Sequence, residues 1–323
     1  MEIAGYGLTD VGSKRTHNED FMAYDDGLGL YVVCDGMGGA EAGEIAAERA
    51  VTTVHQVVRD GIASIADGAG GVNTDAMVAL LRTAIETACA AVWDEAQTDI
   101  AKKGMGCTCI SVLVAGGKAV MGHVGDSRLY LCRAGAVTQL SEDHTFINEA
   151  VKQGVFTPEE AAECGYKNVI TRAIGKERNV IVDTLVFDLV LGDTLLLCSD
   201  GLHGYTKDNA ELAQLLSVPS AEAIPLRLVQ IANERGGQDN ITALIVRPKA
   251  ANEAEAQRSG DVIRGIEALK NIDLMKQLTM AEIVRFKQIF YEAYFAAGEV
   301  IVREGEVNDN LFVIVLGSAE VLR

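Results

Sequence analysis

The sequence is short of basic residues. It holds 28 lysines and arginines against 46 aspartates and glutamates, so its formal net charge is −18. A nucleic-acid-binding protein needs a concentrated basic surface that neutralises phosphates, and this composition argues against that class. Most of the acidic excess is typical of a solvated surface. The same excess is compatible with the binding of cations.

The sequence also lacks paired cysteine spacings. Its seven cysteines are scattered, mostly inside apolar runs, and only Cys107 and Cys109 form a C-x-C pair. A structural zinc site needs a second Cys or His pair at suitable spacing, and none follows. An odd, scattered set predicts reduced cysteines in the core of a cytoplasmic protein.

Neither a secretion signal nor a membrane span is predicted. The N-terminus, MEIAGYGLTD, has no basic segment followed by an apolar stretch, and no apolar run approaches the ~18 residues that a span requires. A chain of 323 residues with 49% hydrophobic content is long and apolar enough for one large domain and a small one. We therefore expect a folded cytoplasmic protein without a membrane partner.

What the sequence does contain is a set of acids at the ends of strand-like runs. Asp35 ends YVVCD, Asp200 ends TLLLCSD, Asp126 follows AVMGHVG, and Asp239 precedes NITALIV. A single Asp-Gly after an apolar run is the ordinary signal for a tight turn. Four such aspartates in one chain favour a convergent site.

The chemistry of these acids indicates a hard divalent cation. Carboxylates without His or Cys beside them favour Mg²⁺ or Mn²⁺ over zinc or copper. Two such ions ~3.5–4 Å apart can clamp an in-line displacement at phosphorus, so metal-assisted phosphate hydrolysis is predicted. In the upstream stretch KRTHNED, Arg15 could pair with a phosphate dianion, and Glu19 or Asp20 could reinforce the metal site. By itself this stretch would read as a solvated charged turn.

Strand and helix patterns come in blocks along the chain, which favours an α+β sandwich over alternating βαβ units. The polar, irregular segment Glu142–Lys176, with one short helix over 157–163, predicts a mobile flap. Strands are predicted over 2–33, 108–140, 180–187, 194–198 and 240–246, and helices over 41–60, 75–101 and 221–235.

A set of motifs, in order and approximate spacing, resembles the bacterial form of the PPM family, the metal-dependent serine/threonine protein phosphatases of type 2C. The resemblance covers roughly residues 1–248. It implies a central antiparallel β-sandwich flanked by helices (α-β-β-α) and hydrolysis of phosphoserine or phosphothreonine by water that a pair of metal ions activates. The motifs are KRTHNED, VVCDGMGG, GMGCTC, GHVGDSRLYL, LSEDHT, ITRAIG, LLLCSDGL and GGQDNITALIV.

The resemblance also implies roles for single residues around two core Mg²⁺ or Mn²⁺ ions. Asp35 corresponds to the ligand that bridges both ions, and the carbonyl of Gly36 to a further ligand of the second. Asp239 and Asp200 would complete the shell of the first ion, and Glu19 would hold water bound to the metal. Asp35 and Asp239 are accordingly predicted to be catalytic as well as metal-binding.

The remaining implied roles lie at the rim of this pair. Asp126, together with Asp200, matches the weaker third metal site of the family, and Arg15 matches its phosphate-binding arginine. Met37 departs from the pattern, because eukaryotic members often carry a His there that is proposed as the general acid. Bacterial relatives commonly share this Met, so the departure does not exclude activity.

A second unit is predicted after a polar stretch, 249–261, that reads as a linker or an exposed helix. Residues 262–323 resemble the start of a cyclic-nucleotide-binding domain, with its leading helices and the first strands of its β-roll. Gly298, Gly305 and Gly317 fit the turns of such a roll. The phosphate-binding cassette is missing, so we expect a fragment of a longer chain, and cyclic-nucleotide binding only if the domain is complete there.

Two other functions stay open at the level of sequence. A pseudophosphatase would bind a phosphoprotein without turnover, although intact Asp35, Asp200 and Asp239 count against it. A phosphatase of a small phosphorylated metabolite would be distinguished by a substrate screen. The expected partner is a phosphorylated protein, the product of a serine/threonine kinase.

Overall fold

The computed structural model describes residues 1–38, 42–68, 71–163, 169–250, 252–287, 289–291, 293–307 and 309–322. In these residues the strands are β1 (Glu2–Asp10), β2 (Asp20–Asp25), β3 (Leu30–Met37), β4 (Gly106–Cys107), β5 (Cys109–Ala115), β6 (Lys118–Val124), β7 (Arg128–Arg133), β8 (Ala136–Gln139), β9 (Asp183–Asp188), β10 (Thr194–Cys198) and β11 (Ile241–Ala250). The α-helices are α1 (Ala42–Gly61), α2 (Thr74–Ala96), α3 (Phe146–Lys152), α4 (Pro158–Glu163), α5 (Asp200–His203), α6 (Asn209–Leu216), α7 (Ile224–Glu234), α8 (Glu253–Lys270) and α9 (Met280–Lys287).

The strands form two antiparallel sheets, as predicted. The first has the order β1-β11-β10-β7-β8, and the second has the order β2-β3-β5-β6-β9, with β4 paired to β3. The first strand of the chain pairs with the last, from Ile3 opposite Pro248 to Asp10 opposite Ile241. This pairing brings the two ends of the region 1–250 into one sheet.

Side-chain alternation along the strands assigns residues to separate cores. On β3, Val32 joins the cluster that contains Val54 of α1 and Leu81 of α2. Its neighbour Val33 joins a second cluster, which also contains Leu197 of β10 in the other sheet. A third cluster combines the first sheet with α6 and α7. Each sheet is therefore covered by helices on one face and shares a core with the other sheet on the opposite face.

Besides the four-residue α5, two helices lie where no helix was predicted. Within the flap, α3 begins after Thr145, whose side chain accepts a hydrogen bond from the N–H of Asn148. α6 begins after Asp208, which caps the N–H of Glu211 in the same way. Such caps satisfy N–H groups that the first helical turn leaves unpaired. Both helices are short, with 7 and 8 residues, so their apolar periodicity is weak.

The predicted linker, 249–261, is largely helical, so the exposed-helix alternative describes it better. It contains the end of β11 and the first half of α8. The helix begins there because the Asn252 side chain accepts from the Glu255 N–H, while the Glu255 carboxylate accepts from the Asn252 N–H. This reciprocal capping box stabilises a helix start that a polar composition does not reveal.

The β-roll strands predicted near the C-terminus are not found in the described residues. Within 289–291, 293–307 and 309–322 the backbone is irregular, with turns and bends but no strand. The turn prediction fares better, because Gly298, Gly305 and Gly317 all have positive φ, which glycine tolerates without strain. Large apolar side chains such as Leu311 and Leu316 are exposed, since no sheet face forms in this stretch to bury them.

The helices α8 and α9 pack onto the body formed by residues 1–250. Val190, which follows β9, shares a cluster with Val262 of α8 and Ile283 of α9. Val284 of α9 enters the cluster shared by the two sheets. The segment that follows β11 thus contributes to the same core as the sheets.

Charged contacts accompany this packing around Asp188 at the end of β9. Its carboxylate lies 2.7 Å from Lys118 Nζ, 2.8 Å from Lys287 Nζ and 3.4 Å from Arg258 Nη1. Burial raises the pKa of Asp188, but Lys287 and Lys118 outweigh that effect and hold the pKa below its usual range. The carboxylate therefore links β6, α8 and α9 electrostatically.

The helix α2 corrects the expectation about membrane-length segments. By length and composition it could cross a membrane, with a mean hydropathy of 1.4 over its most apolar window, 39% of which is buried. Its apolar face, including Leu81, Ile85 and Val92, lies in the core, whereas Arg82 and Glu86 are exposed. A core helix of this kind passes the same length test, so the finding is weak evidence for a span.

The cysteines are as predicted where the structure describes them. Six are free and buried: Cys34, Cys89, Cys107, Cys109, Cys132 and Cys198. The seventh, Cys164, lies outside the described residues.

Candidate active site

Asp35 stands near the end of β3 and is held by the neighbouring backbone. Its N–H donates to Thr108 Oγ1 at 2.9 Å, and its carbonyl accepts from the Thr108 N–H at 2.8 Å. The side chain keeps part of its surface exposed. Burial, followed by the nearby carboxyls of Asp20 and Asp200, nevertheless raises the pKa of Asp35 well above its ordinary range. β3 therefore holds an acid where its charge is disfavoured.

Asp200 and Asp239 reach the site from the other sheet. Asp200 begins α5 two residues after β10, and Asp239 lies two residues before β11. Burial and then the charge of Asp239 raise the pKa of Asp200, while a hydrogen bond with Asp35 lowers it. The structure thus brings together three of the predicted strand-end acids.

Glu19 and Gly36 form a close-packed wall beside Asp35. The Gly36 N–H donates to the Glu19 carbonyl at 3.1 Å. A Cβ on Gly36 would lie 2.2 Å from the carbonyl oxygen of Gly43 and 2.5 Å from that of Glu19, so only glycine fits. Burial raises the pKa of Glu19, and its buried Oε1 accepts no well-formed hydrogen bond from the described residues. A carboxylate in this state is suited to a further polar ligand.

Asp126 is the outlying member of the set. It lies in the turn between β6 and β7, and its residue surface is 6% exposed. Burial first, then the charges of Asp200 and Asp143, raise its pKa to about 7. Among the core acids, Asp200 is therefore the one whose charge acts most strongly on Asp126.

Arg15 lies over the site and contacts it directly. Its Nη2 donates to Asp239 Oδ2 at 2.7 Å, although 48% of the arginine side chain is exposed. Arg15 is therefore anchored at the acids and still accessible to an incoming anion.

Asp20 and Asn240 have structural roles that sequence reasoning missed. Asp20, suggested above as a metal ligand, is 4% exposed, and its Oδ2 accepts from Ser199 Oγ at 2.6 Å and Thr242 Oγ1 at 2.7 Å. Burial raises its pKa to about 7, against the effect of those hydrogen bonds. The Asn240 side chain donates to the His17 carbonyl and accepts from the Glu19 N–H. Asp20 links the sheets, and Asn240 holds the KRTHNED loop beside Asp239.

Three of the described histidines, His123, His144 and His203, are unsuited to take the place of the acid that Met37 replaces. Burial lowers the pKa of His123 to about 3 and that of His203 to about 4, so both are neutral near pH 7. His144 is engaged between Gly125 and Asp183. Met37 itself carries no titratable proton, so this position does not donate one to a leaving group.

The donor set fits Mg²⁺ or Mn²⁺, because every candidate ligand offers oxygen. Asp35, Asp126 and Asp200 share the same causes of a raised pKa, burial and mutual repulsion, which a divalent cation relieves. Within the part of the chain that the structure describes, no three Asp, Glu, His or Cys side chains form a compact ligand cluster. A cation that binds here must therefore draw these carboxylates closer together and compete with Arg15 for Asp239.

Known proteins are similar to this chain over most of its length. The family model for protein phosphatase 2C matches residues 12–243. The chain is 34% identical over 241 residues to the serine/threonine phosphatase stp of Listeria monocytogenes, covering 74% of this chain and 93% of that protein. It is 36% identical over 255 residues to the protein phosphatase PhpP of Streptococcus pneumoniae, covering 77% and 98%.

Solved structures are similar over the same region. The serine/threonine phosphatase PstP/Ppp of Mycobacterium tuberculosis superposes with a TM-score of 0.68 at 31% identity, covering 77% of this chain and 99% of that one. A structure of the PstP catalytic domain in complex with two manganese ions has a TM-score of 0.65 at 31% identity, covering 76% and 97%.

Proposed function

The chain belongs to the protein phosphatase 2C family, and from that premise we propose a role for each residue of its candidate active site. It is a metal-dependent protein serine/threonine phosphatase that uses Mg²⁺ or Mn²⁺. The observation that carries the proposal is the meeting of Asp35, Asp200 and Asp239 from strand ends of both sheets. A chain that only bound phosphoproteins would not need such mutually repelling acids, so the pseudophosphatase alternative is not favoured.

The core acids would hold two ions. Asp35 would contact both, Asp200 and Asp239 the first, and the Gly36 carbonyl the second. When bound, these ions supply an activated water and neutralise charge on the phosphoryl group. Glu19, whose Oε1 is buried and poorly satisfied, would hydrogen-bond water beside them. Asp126 and Asp200 would form a third, weaker site.

Catalytic function can be tested by release of phosphate. We expect the protein to hydrolyse a phosphothreonine peptide in the presence of Mn²⁺ and to lose this activity in a chelator, since its donors select hard cations. A panel of small phosphorylated metabolites at the same concentration serves as the comparison. Failure to release phosphate from any phosphopeptide with Mn²⁺ or Mg²⁺ would contradict the proposal, and a preference for one metabolite would change the substrate class.

Arg15 is proposed to bind the phosphate dianion of the substrate. Arg15→Ala is expected to raise KM about tenfold with little change in kcat, because a guanidinium that contacts the dianion in the ground state contributes mainly to binding. Steady-state kinetics with the phosphothreonine peptide measures both constants. Arg178→Ala is the matched control, because Arg178 forms a comparable exposed pair with Asp94. Identical kinetics for the two variants would show that Arg15 is an ordinary exposed charge and does not bind the substrate.

The domain organisation is also a proposal. We infer that residues 1–248 form the phosphatase domain as an α-β-β-α sandwich, supported by the core that the two sheets share and by the helix-lined cores outside them. Residues 262–323 keep their resemblance to the start of a cyclic-nucleotide-binding domain, supported by α8 and α9 in place of its leading helices. The substrate would be a phosphoprotein made by a serine/threonine kinase in the cytoplasm, where the six buried thiols would stay reduced.

This 323-residue chain is expected to bind neither cyclic AMP nor cyclic GMP at micromolar concentration. A cyclic nucleotide needs a cationic partner for its phosphate and a concave apolar wall for its base, and the described residues beyond 288 form no sheet that would supply the wall. Isothermal titration calorimetry on the whole chain tests this, with Mn²⁺ titrated in a parallel run to show that the sample is active. Saturable micromolar binding would contradict the prediction.

A further inference from the structure

Gly125, the residue before Asp126, is held on both sides by one residue, His144. The Gly125 N–H donates to His144 Nδ1 at 3.0 Å, and the Gly125 carbonyl accepts from the His144 N–H at 2.8 Å. Gly125 has a φ of +106°, and a Cβ on it would lie 2.6 Å from Thr108 Cγ2. No side chain can therefore support this turn from within, and His144 supplies the support from outside.

The second ring nitrogen fixes the tautomer of His144. Because Nδ1 accepts a hydrogen bond from Gly125, the proton of a neutral imidazole resides on Nε2. Nε2 lies 3.1 Å from Asp183 Oδ2, and Asp183 Oδ1 accepts from Arg172 Nη1 at 2.6 Å. The hydrogen bond from His144 is the main cause that holds the pKa of Asp183 below its usual range. Asp183 thus orients the ring, as carboxylates orient histidines that act on a third group.

The His144 ring is enclosed as well as hydrogen-bonded. The side chain is 6% exposed, and His123 packs against it with ring centroids 4.6 Å apart. Both nitrogens of His123 lack a hydrogen-bond partner among the described residues, so His123 contributes a packing surface rather than a competing polar contact. His144 consequently has little freedom to leave Gly125.

The same residue joins the turn to the flap. The His144 carbonyl accepts from the Thr171 N–H at 2.9 Å, and the next residue, Thr145, forms a β-bridge with Ile170. One residue therefore contacts the Asp126 turn through its ring and backbone N–H, and the segment of the flap around Thr171 through its carbonyl.

We propose that His144 is a positioning residue that sets the orientation of Asp126 by accepting a hydrogen bond from the Gly125 N–H, and that it links this orientation to the base of the flap. The proposal rests on the role of Asp126 proposed above. His144 itself touches neither substrate nor metal. Its effect is carried by Gly125, the residue before Asp126, whose N–H and carbonyl both contact His144.

Two amide substitutions separate the two ring nitrogens. In His144→Asn the side-chain oxygen can take the place of Nδ1 and accept from Gly125, whereas in His144→Gln the longer amide reaches towards Asp183 instead. We expect Asn to keep kcat close to that of the wild type and Gln to lower kcat about tenfold, with KM little changed, as for the loss of one orienting hydrogen bond. His55→Asn is the matched control, because His55 on α1 forms a comparable pair with Asp25 at the end of β2.

A readout without catalysis completes the test. In the metal-free protein, hydrogen exchange of the Gly125 amide should stay protected in the wild type and His144→Asn and become fast in His144→Gln. In His144→Gln, a Mn²⁺ titration should show weaker binding at the Asp126 site and unchanged binding of the two core ions. If the Gly125 amide of His144→Gln exchanges fast while Mn²⁺ affinity at the Asp126 site and kcat are unchanged, His144 does not position Asp126. Full activity in both variants would overturn the proposal as well. If His144→Gln does not fold, loss of Gly125 protection or of kcat in a folded His144→Asn overturns it. Absence of activity in the wild type would instead contradict the proposed function.

Discussion

Asp35→Ala or Asp239→Ala is expected to lower kcat/KM for a phosphothreonine peptide by more than about a hundredfold. Substitution of groups that merely orient metal ligands costs about 10–100-fold, and loss of a ligand itself should exceed that. Asp200 remains in both variants, and each variant lacks one carboxylate of the site, that of Asp35 from one sheet or that of Asp239 from the other. Without it, the nucleophilic water is activated less.

Metal content and stability distinguish this outcome from misfolding. Bound Mn²⁺, measured by elemental analysis after dialysis, should fall in both variants. Metal-free Asp35→Ala should be at least as stable to heat as the metal-free wild type, because it removes one of several carboxyls that repel each other at close range. Mn²⁺ should raise the melting temperature of the wild type much more than that of either variant.

A matched control exists for Asp239. Asp94 also forms an exposed pair with an arginine, Arg178, and Asp94→Ala should leave both metal content and turnover unchanged. Near-normal activity in Asp35→Ala and Asp239→Ala together would be incompatible with a metal centre built on these acids.

Asp126→Ala is expected to separate the outlying site from the core pair. The variant should retain two tightly bound Mn²⁺ ions, and its kcat/KM for phosphopeptides should fall at least about tenfold. This loss is smaller than the one expected for a ligand of the core ions, because Asp126 lies outside that pair. The reason lies in its neighbours, since the charges that act most strongly on Asp126 are those of Asp200 and Asp143 rather than Asp35 or Asp239. Crystals of the variant soaked in Mn²⁺ would locate the remaining ions.

A conservative replacement sharpens this second experiment. Asp126→Asn keeps an oxygen donor but removes the charge, so its Mn²⁺ affinity at the outlying site should lie between those of the wild type and Asp126→Ala. If Asp126→Ala loses both core ions, the residue belongs to the core pair and its assignment is wrong.

Much of the fold follows from local patterns in the sequence. Continuous apolar runs that end in a turn signal, such as the one that begins at Leu30, predict strands, and the wider apolar spacing of 41–60 predicts the helix observed over Ala42–Gly61. Short elements were missed where a single capping residue, Thr145 or Asp208, defines the helix start. In the C-terminal segment, strand-like composition is not accompanied by strands in the described residues, because a strand requires a hydrogen-bonding neighbour that local sequence cannot supply.

For the candidate site, too, some features follow from the sequence and others only from the tertiary structure. The sequence by itself determined its chemistry: oxygen donors at strand ends, with no His or Cys among them, select a hard divalent cation wherever they meet. Only the tertiary structure decided which acids meet. Asp20 and Glu19 are adjacent in the chain, yet the Oδ2 of Asp20 accepts from Ser199 and Thr242 of the other sheet, whereas the backbone carbonyl of Glu19 accepts from Gly36. Each acid keeps one oxygen, Oδ1 of Asp20 and Oε1 of Glu19, without a well-formed hydrogen bond among the described residues. The pairings of Asp20 span about two hundred positions, and they depend on sheet register and packing rather than on local propensity.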